Sequence, residues 1–385
     1  MSKWEMVRLG DVCEKRIDTL PTGFDEKIIY IDISSVDNLS KEITTFQEIY
    51  GTEAPSRAKQ LLKKNDVIVS TVRPNLNAVA LNYLESTCLV VASTGYCVLR
   101  CKSMTDARYI YYFCQSERFV STLVKVAKGA SYPAVSNNDV KNVEIPLPPL
   151  DEQKRIAKNL DLASEIFKGY KEQLAELDKL IQSVFYEMFG DPVTNEKGWK
   201  IQALQSVCDV RDGTHDSPVY VEDGYPLVTS KNVSQGFIDF STANLISQED
   251  LIKINQRSKV DAGDIIMPMI GTIGNPVIVN VDREFAVKNV AIIKFAGSIM
   301  CNTFIKTLLS SSFFDNAIQK ANRGGTQKFI ALGDIRKLSI PIPPSDVQTR
   351  FASIVTEIEA QKAQVQQALT EAENLFNSLM QEYFE

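Results

Sequence analysis

One histidine, two tryptophans and no CxxC cysteine pair set the first limits on this 385-residue chain. With His215 as the sole imidazole, a Ser/His/Asp arrangement can occur once at most, and a histidine-based zinc site is disfavoured. The seven cysteines (Cys13, Cys88, Cys97, Cys101, Cys114, Cys208, Cys301) contain no CxxC spacing, so buried reduced thiols are the expectation. No run of about 18 apolar residues exists, and the opening MSKWEMVRLGDV lacks the apolar core of a secretory leader. A soluble, cytoplasmic protein with no membrane role is expected. Also missing are a GxxxxGK loop for nucleotide phosphates, a GxGxxG after a strand, and the Asn/Asp-Pro-Pro-aromatic step and glycine-rich loop of amino-methyltransferases. The catalytic inventory is thin.

What is present is a repeat. In residues 151–189, Ile156, Leu160, Ala163, Phe167, Tyr170, Leu174, Leu177, Ile181, Val184 and Met188 step by four and three, a coiled-coil seam rather than a broad helix face. The same register returns 195 residues later as Phe351, Val355, Ile358, Lys362, Val365, Leu369, Ala372, Phe376, Leu379 and Tyr383, with one polar interruption at Lys362. The openings WEMVRLGDVC (4–13) and WKIQALQSVC (199–208) keep that offset, as do Gly129 with Gly324, Asp139 with Asp334 and Pro148-Pro149 with Pro343-Pro344. Proline cannot extend a ladder or a helix interior, so each Pro-Pro ends a strand and frees a helical arm. Ser345 with Gln348 has the spacing of a capping box for the second arm.

Before each arm lie short β-branched stretches: 28–36, 66–72, 77–81, 88–93 and 96–101, then 226–233, 264–270, 275–281 and 289–295. One helix is expected over 106–127 and another over 302–321. The expected fold is α+β: globular domains at 1–150 and 192–345, related by a pseudo-twofold, with arms 151–191 and 346–385 forming an intramolecular antiparallel coiled coil. At ~1.5 Å per residue an arm spans roughly 57 Å, more than the 34–36 Å of one DNA turn.

The net charge of −6 argues against a nucleic-acid binder until it is divided. Residues 1–150 hold 18 Lys/Arg against 17 Asp/Glu, and residues 192–345 hold 16 against 15. The arms carry the acid, 6 against 9 and 2 against 7. Contact with DNA therefore belongs to the globular parts, with a partner supplying part of the positive field.

Loops at matching places offer the chemistry. Ser70, Thr71, Arg73, Asn75 and Asn77 leave a strand, where an arginine among small amides and hydroxyls can reach base edges or phosphates. Their counterpart, Met269-Ile-Gly-Thr-Ile-Gly-Asn275, supplies Thr272 and Asn275. Lys128, Ser131 and Tyr132 in one half, and Arg323, Thr326, Gln327 and Lys328 in the other, set cations beside glycines that let backbone approach a phosphate. Thr214, His215, Ser230, Lys231 and Asn232 belong to the second half alone. The plainer reading of each loop is a solvated turn. Glu152-Gln-Lys154 imitates the tail of a nuclease motif, but solvated charges in a first helical turn account for it.

The doubled stop, PLPPLDEQKRIA (146–157) and PIPPSDVQTRFA (341–352), with a heptad arm behind each, the two openings and the strand KKNDVIVSTVRPN resemble the specificity subunits of type I restriction–modification enzymes. The resemblance covers essentially the whole length, with one departure: Asp-Val-Gln in the second arm for Asp-Glu-Gln in the first. It implies that each globular part reads one half of a bipartite site in double-stranded DNA. It implies further that the arms set the gap and dock two methyltransferase subunits. No cofactor is then expected in this chain; S-adenosylmethionine, ATP and magnesium would serve the methyltransferase and the motor–nuclease subunits. The competing reading is a self-contained DNA-modifying or DNA-cutting enzyme.

Overall fold

The computed structural model describes residues 4–233, 236–270, 273–321 and 329–385. The chain forms two compact units: Met1–Lys171 with Gln367–Glu385, and Glu172–Gln366.

In unit 1, β1 (Met6–Arg8) pairs antiparallel with β9 (Glu144–Pro146). A second sheet has the order β3 (Gln47–Tyr50), β2 (Lys27–Ile31), β7 (Leu89–Ser93), β4 (Ala58–Leu62), with β2 and β7 parallel. The third, antiparallel, runs β8 (Tyr96–Leu99), β5 (Val67–Ser70), β6 (Val79–Leu81). Both faces of that sheet are buried, so its strands read as unbroken apolar runs: Val67 and Val69 enter one core while Ile68 enters another. Two helices follow, α1 (Ala107–Phe113) and α2 (Glu117–Val126), where a single helix over 106–127 is expected. The break is Ser116, whose Oγ accepts from the Phe119 amide and donates to the Phe113 carbonyl. The arm α3 then runs Leu150–Phe189.

Unit 2 repeats this plan. Strand β10 (Lys200–Ala203) pairs with β19 (Ser339–Ile342), and Gln202 faces Ile340 as Val7 faces Ile145 in unit 1. One sheet has the order β12 (Tyr220–Val221), β14 (Asn244–Ile246), β13 (Tyr225–Val228), β17 (Ala286–Val287), the last two parallel. The other runs β11 (Asp209–Asp212), β18 (Val290–Lys294), β15 (Ile265–Pro268), β16 (Val277–Ile278), all antiparallel. Helix α4 (Gln248–Ser258) is an addition, and α5 (Asn302–Leu309) and α6 (Ser312–Ala321) again replace one expected helix. Here Ser310 and Ser311 return their hydroxyls to the Lys306 and Leu308 carbonyls. The arm α7 spans Ser345–Phe384.

The arms pair antiparallel inside each unit. In unit 1, Asn159 near the start of α3 donates to the Tyr383 hydroxyl near the end of α7, at 3.1 Å. In unit 2, Phe185 near the end of α3 meets Phe351 near the start of α7, ring centres 5.7 Å apart. Each arm ends in a phenylalanine driven into a head: Phe189 lies 4.7 Å from Phe304, and Phe384 lies 5.3 Å from Tyr109. Burial of rings this size makes truncation to alanine cost about 3–5 kcal/mol. At the end of α3 the deepest residues are Phe185 and Phe189 rather than seam positions Val184 and Met188, because the helix there faces a head core as well as its partner. The seam's polar interruption, Lys362, is answered by Asp178 at 2.6 Å and Glu359 at 3.3 Å.

The expected capping box at Ser345 does not form. Gln348 is 2% exposed and turns away: its Oε1 accepts from the Cys301 amide at 2.7 Å and its Nε2 donates to Pro343 O at 2.8 Å. Gln153, fully buried, makes the same pair of bonds to the Asp106 amide (2.9 Å) and Pro148 O (2.8 Å). Both glutamines tie an arm to the first turn of a head helix, so the Glu-to-Val change in the second arm leaves the essential side chain in place.

Candidate nucleic-acid interface

Strand β5 delivers the first loop. After Ser70 the backbone meets the segment before β9: Val72 bridges Ala134, the Arg73 amide donates to Pro133 O at 2.7 Å, and the Val135 amide donates to Thr71 O. Lys128 also bridges Ala134, closing a tight loop in which Gly129 has φ +105° and a Cβ there would sit 2.9 Å from Tyr132 O. Two sequence-distant candidate groups thus become one surface. On it Arg73, Asn75, Lys128, Ser131 and Tyr132 are exposed. The Arg73 guanidinium lies over the Tyr132 ring, 4.6 Å from its centre.

Other candidates build the loop. Ser70 and Thr71 are buried, donating to Val72 O (3.0 Å) and Gly95 O (2.9 Å). Asn77 is half-buried in left-handed backbone and donates to Cys114 O at 3.1 Å. Beneath it lies a residue that the sequence does not single out: Lys41 Nζ donates to Asn77 O at 2.6 Å. Burial lowers its pKa to about 8. Lys41 sits 36 positions upstream in a hairpin turn, and no local spacing announces the contact.

In unit 2 the sheet topology does the gathering. Strands β11 and β15 are both antiparallel to β18, so they leave the sheet at the end where β18 enters. The loops after Asp212 and Pro268 therefore share that end with Lys288 and Asn289. Thr214 bridges Lys288, Lys288 Nζ donates to Ser217 Oγ at 2.7 Å, and the Lys288 amide donates to Val228 O, drawing in the loop of Ser230 and Lys231. His215 is held by Asn289 Oδ1 (2.8 Å from Nδ1) and Asp212 Oδ2 (3.1 Å from Nε2), and Arg257 reaches the other Asp212 oxygen at 3.2 Å. Asn232 is buried: its Oδ1 accepts from the Thr229 amide and hydroxyl, and its Nδ2 donates to Thr242, so it fastens the loop.

Asn275 is exposed in left-handed backbone ahead of β16. Ile270 bridges Phe329, the counterpart of Val72 with Ala134. Thr272, Arg323, Thr326, Gln327 and Lys328 lie outside the described residues. Lys288 and Asn289 are additions to the expected set; an Asn opening an apolar strand, here at φ 57°, was the available signal. Among the described residues no three His, Cys, Asp or Glu side chains cluster as a metal site, and no helix is long and apolar enough to cross a membrane.

The chain is 24% identical over 403 residues to the type I restriction enzyme MjaVIII specificity subunit of Methanocaldococcus jannaschii, covering 98% of this chain and 92% of that one. It is 23% identical over 311 residues to the EcoBI specificity subunit of Escherichia coli, covering 72% and 65%. A chain solved in work on complex assembly and conformational transition of the type I R-M system shares the fold at TM-score 0.60 and 24% identity, covering 99% and 97%. The type I restriction-modification S subunit of M. genitalium shares it at TM-score 0.57 and 14% identity, covering 100% and 96%. The sequence profile of the type I restriction modification DNA specificity domain matches residues 1–177 and again 196–374, and the chain belongs to that family.

Proposed function

We propose that this chain is the DNA-reading subunit of a type I restriction–modification complex, working in the cytoplasm and lending no chemistry of its own. Unit 1 reads one half of a bipartite duplex target and unit 2 the other. The helical arms set the separation of the halves and dock two methyltransferase subunits, which use S-adenosylmethionine; a motor–nuclease consumes ATP with magnesium. One observation carries this reading: the same strand–loop frame occurs twice, with the loop after β5 or β15 tied to the segment before the last strand, while the loop sequences on the two frames differ.

Arg73, Asn75, Lys128, Ser131 and Tyr132 in unit 1 are the proposed contacts, with Thr214, His215, Ser230, Lys231 and Asn275 in unit 2. Cations meet phosphates, and amides and hydroxyls meet base edges. The test is to map methylated adenines in DNA modified by this chain with its methyltransferase. Exchange of residues 1–150 for another recognition domain is expected to change one half of the target. If both halves change, or neither does, the division of labour is wrong. A self-contained enzyme would instead modify or cut DNA when the purified chain is given methyl donor and magnesium alone.

A further inference from the structure

The environment of Arg73 is unusual in three independent ways. Its backbone is left-handed, φ 51° and ψ 61°, although it is not glycine, and Pro74 follows it. Such strain persists only where surrounding structure over-determines it, here the 2.7 Å bond from its amide to Pro133 O and the bridge of Val72 with Ala134. Its guanidinium carbon lies over the Tyr132 ring, 4.6 Å from the ring centre, and that ring is left 68% exposed beside a solvent-facing arginine. Among the described residues, no carboxylate and no side-chain hydrogen bond takes up that guanidinium.

We propose that Arg73 reads a guanine in the half-site of unit 1, with Tyr132 as its positioning residue; this deepens the DNA-recognition reading above and rests on it. A guanidinium held over a ring and bonded to no acceptor keeps its N–H fork available for a paired acceptor. That fork matches the paired O6 and N7 acceptors of guanine in the major groove, the commonest specific base contact of arginine. A phosphate contact needs charge but no fixed plane, and exposed Lys128 on the same surface supplies it. At the matching position of unit 2 the sequence has Gly271, so the contact belongs to unit 1 alone.

The test measures methylation by the assembled complex on duplexes with each position of both half-sites randomised. Arg73→Asn is the informative variant, because asparagine accepts left-handed backbone. The expected result is loss of preference at one G·C pair of the first half-site, by about 5- to 150-fold, with other positions and the second half-site unchanged. Tyr132→Ala is expected to weaken the same preference and Tyr132→Phe to restore it, since the ring rather than the hydroxyl holds the arginine. A uniform loss across positions with a shallower salt dependence would make Arg73 a phosphate contact and overturn the proposal. A loss shared by both half-sites would assign it to assembly, with the same consequence. An unchanged wild-type preference sinks the guanine assignment alone, whereas a wild-type complex with no preference at all sinks the DNA-recognition reading too.

Discussion

In unit 1 the loop after β5 carries Arg73 stacked on Tyr132; at the matching place in unit 2 the sequence runs Met269-Ile-Gly-Thr-Ile-Gly-Asn275, with no charge. Directly before each of these strands an aspartate is kept. Asp66 and Asp264 are 1% and 3% exposed, and each accepts at 2.8 Å from an amide three residues back, Lys63 or Asp261. Their partners differ in type. Arg100 grips Asp66 with two bonds, 2.9 and 2.7 Å. Lys294 gives Asp264 one bond of 2.6 Å and Asp261 another of 2.8 Å. Burial pulls the Lys294 ammonium down, and the two aspartates more than restore it. The difference teaches where the duplicated halves were free to diverge. Groups whose loss would strand a buried charge or amide are retained, and groups that water can solvate have changed.

The strongest way to break this comparison is at the aspartates. Asp66→Ala removes the bidentate partner of Arg100, 9% exposed, and leaves it Leu61 O at 2.9 Å and the exposed Glu14 and Asp18 carboxylates no nearer than 3.7 Å, so a loss in unit 1 of about 3 kcal/mol or more is expected. Asp264→Ala leaves Lys294 bonded to Asp261 and to Lys259 O, so the loss in unit 2 is expected nearer 1–3 kcal/mol. Hydrogen exchange of β5 and β15 measures each unit separately; equal losses would mean that the arginine fork has no advantage here. Next come the glutamines. Gln153→Leu and Gln348→Leu each abandon a helix-start amide and a proline carbonyl, and about 1–3 kcal/mol is expected from each. Denaturant titration that finds one indispensable and the other neutral would separate two sites that are alike in structure.

How much of this was legible depends on the range of the physics. The arms were readable because a four-three apolar period is local, and the Pro-Pro stops because proline acts on its own backbone. The division of each head helix was missed, since Ser116 inside an apolar period looks like a tolerated helix residue until its hydroxyl is seen capping. The glutamine ties were invisible: their amide partners lie 47 residues away. Of the loop candidates, Arg73, Lys128 and Tyr132 converge, whereas Ser70, Thr71 and Asn232 turn inward, because polarity alone does not tell a side chain that meets solvent from one that fastens its own loop.

A finer test sets Lys128 against Asn275. Lys128→Ala is expected to weaken DNA binding by the assembled complex about equally across target sequences and to flatten the log–log salt slope by about one unit, as for a lost phosphate contact. Asn275→Ala, an uncharged loss, is expected to leave that slope unchanged while altering preference in the second half-site. Binding isotherms at several salt concentrations decide. A slope altered by Asn275→Ala or untouched by Lys128→Ala would reverse the assignment of phosphate and base contacts.

The smallest expected effect concerns Lys41, a part-buried cation beneath the Arg73 loop of unit 1. Burial lowers the Lys41 pKa from 10.5 to about 8. The folded protein therefore releases a proton that the unfolded chain still holds between pH 8 and 10.5. Stability of unit 1 should rise with pH across that window, and the cost of the protonated ammonium is fully felt below about 8. Because the side chain is only part-buried, solvent screening leaves an expected gain of at most about 1 kcal/mol. Lys41→Met should abolish the rise while costing the bond to Asn77 O. Thermal unfolding of wild type and variant from pH 7 to 10 checks this: parallel profiles would show that Lys41 keeps an ordinary pKa, and that the hairpin beneath the Arg73 loop leaves its ammonium solvated.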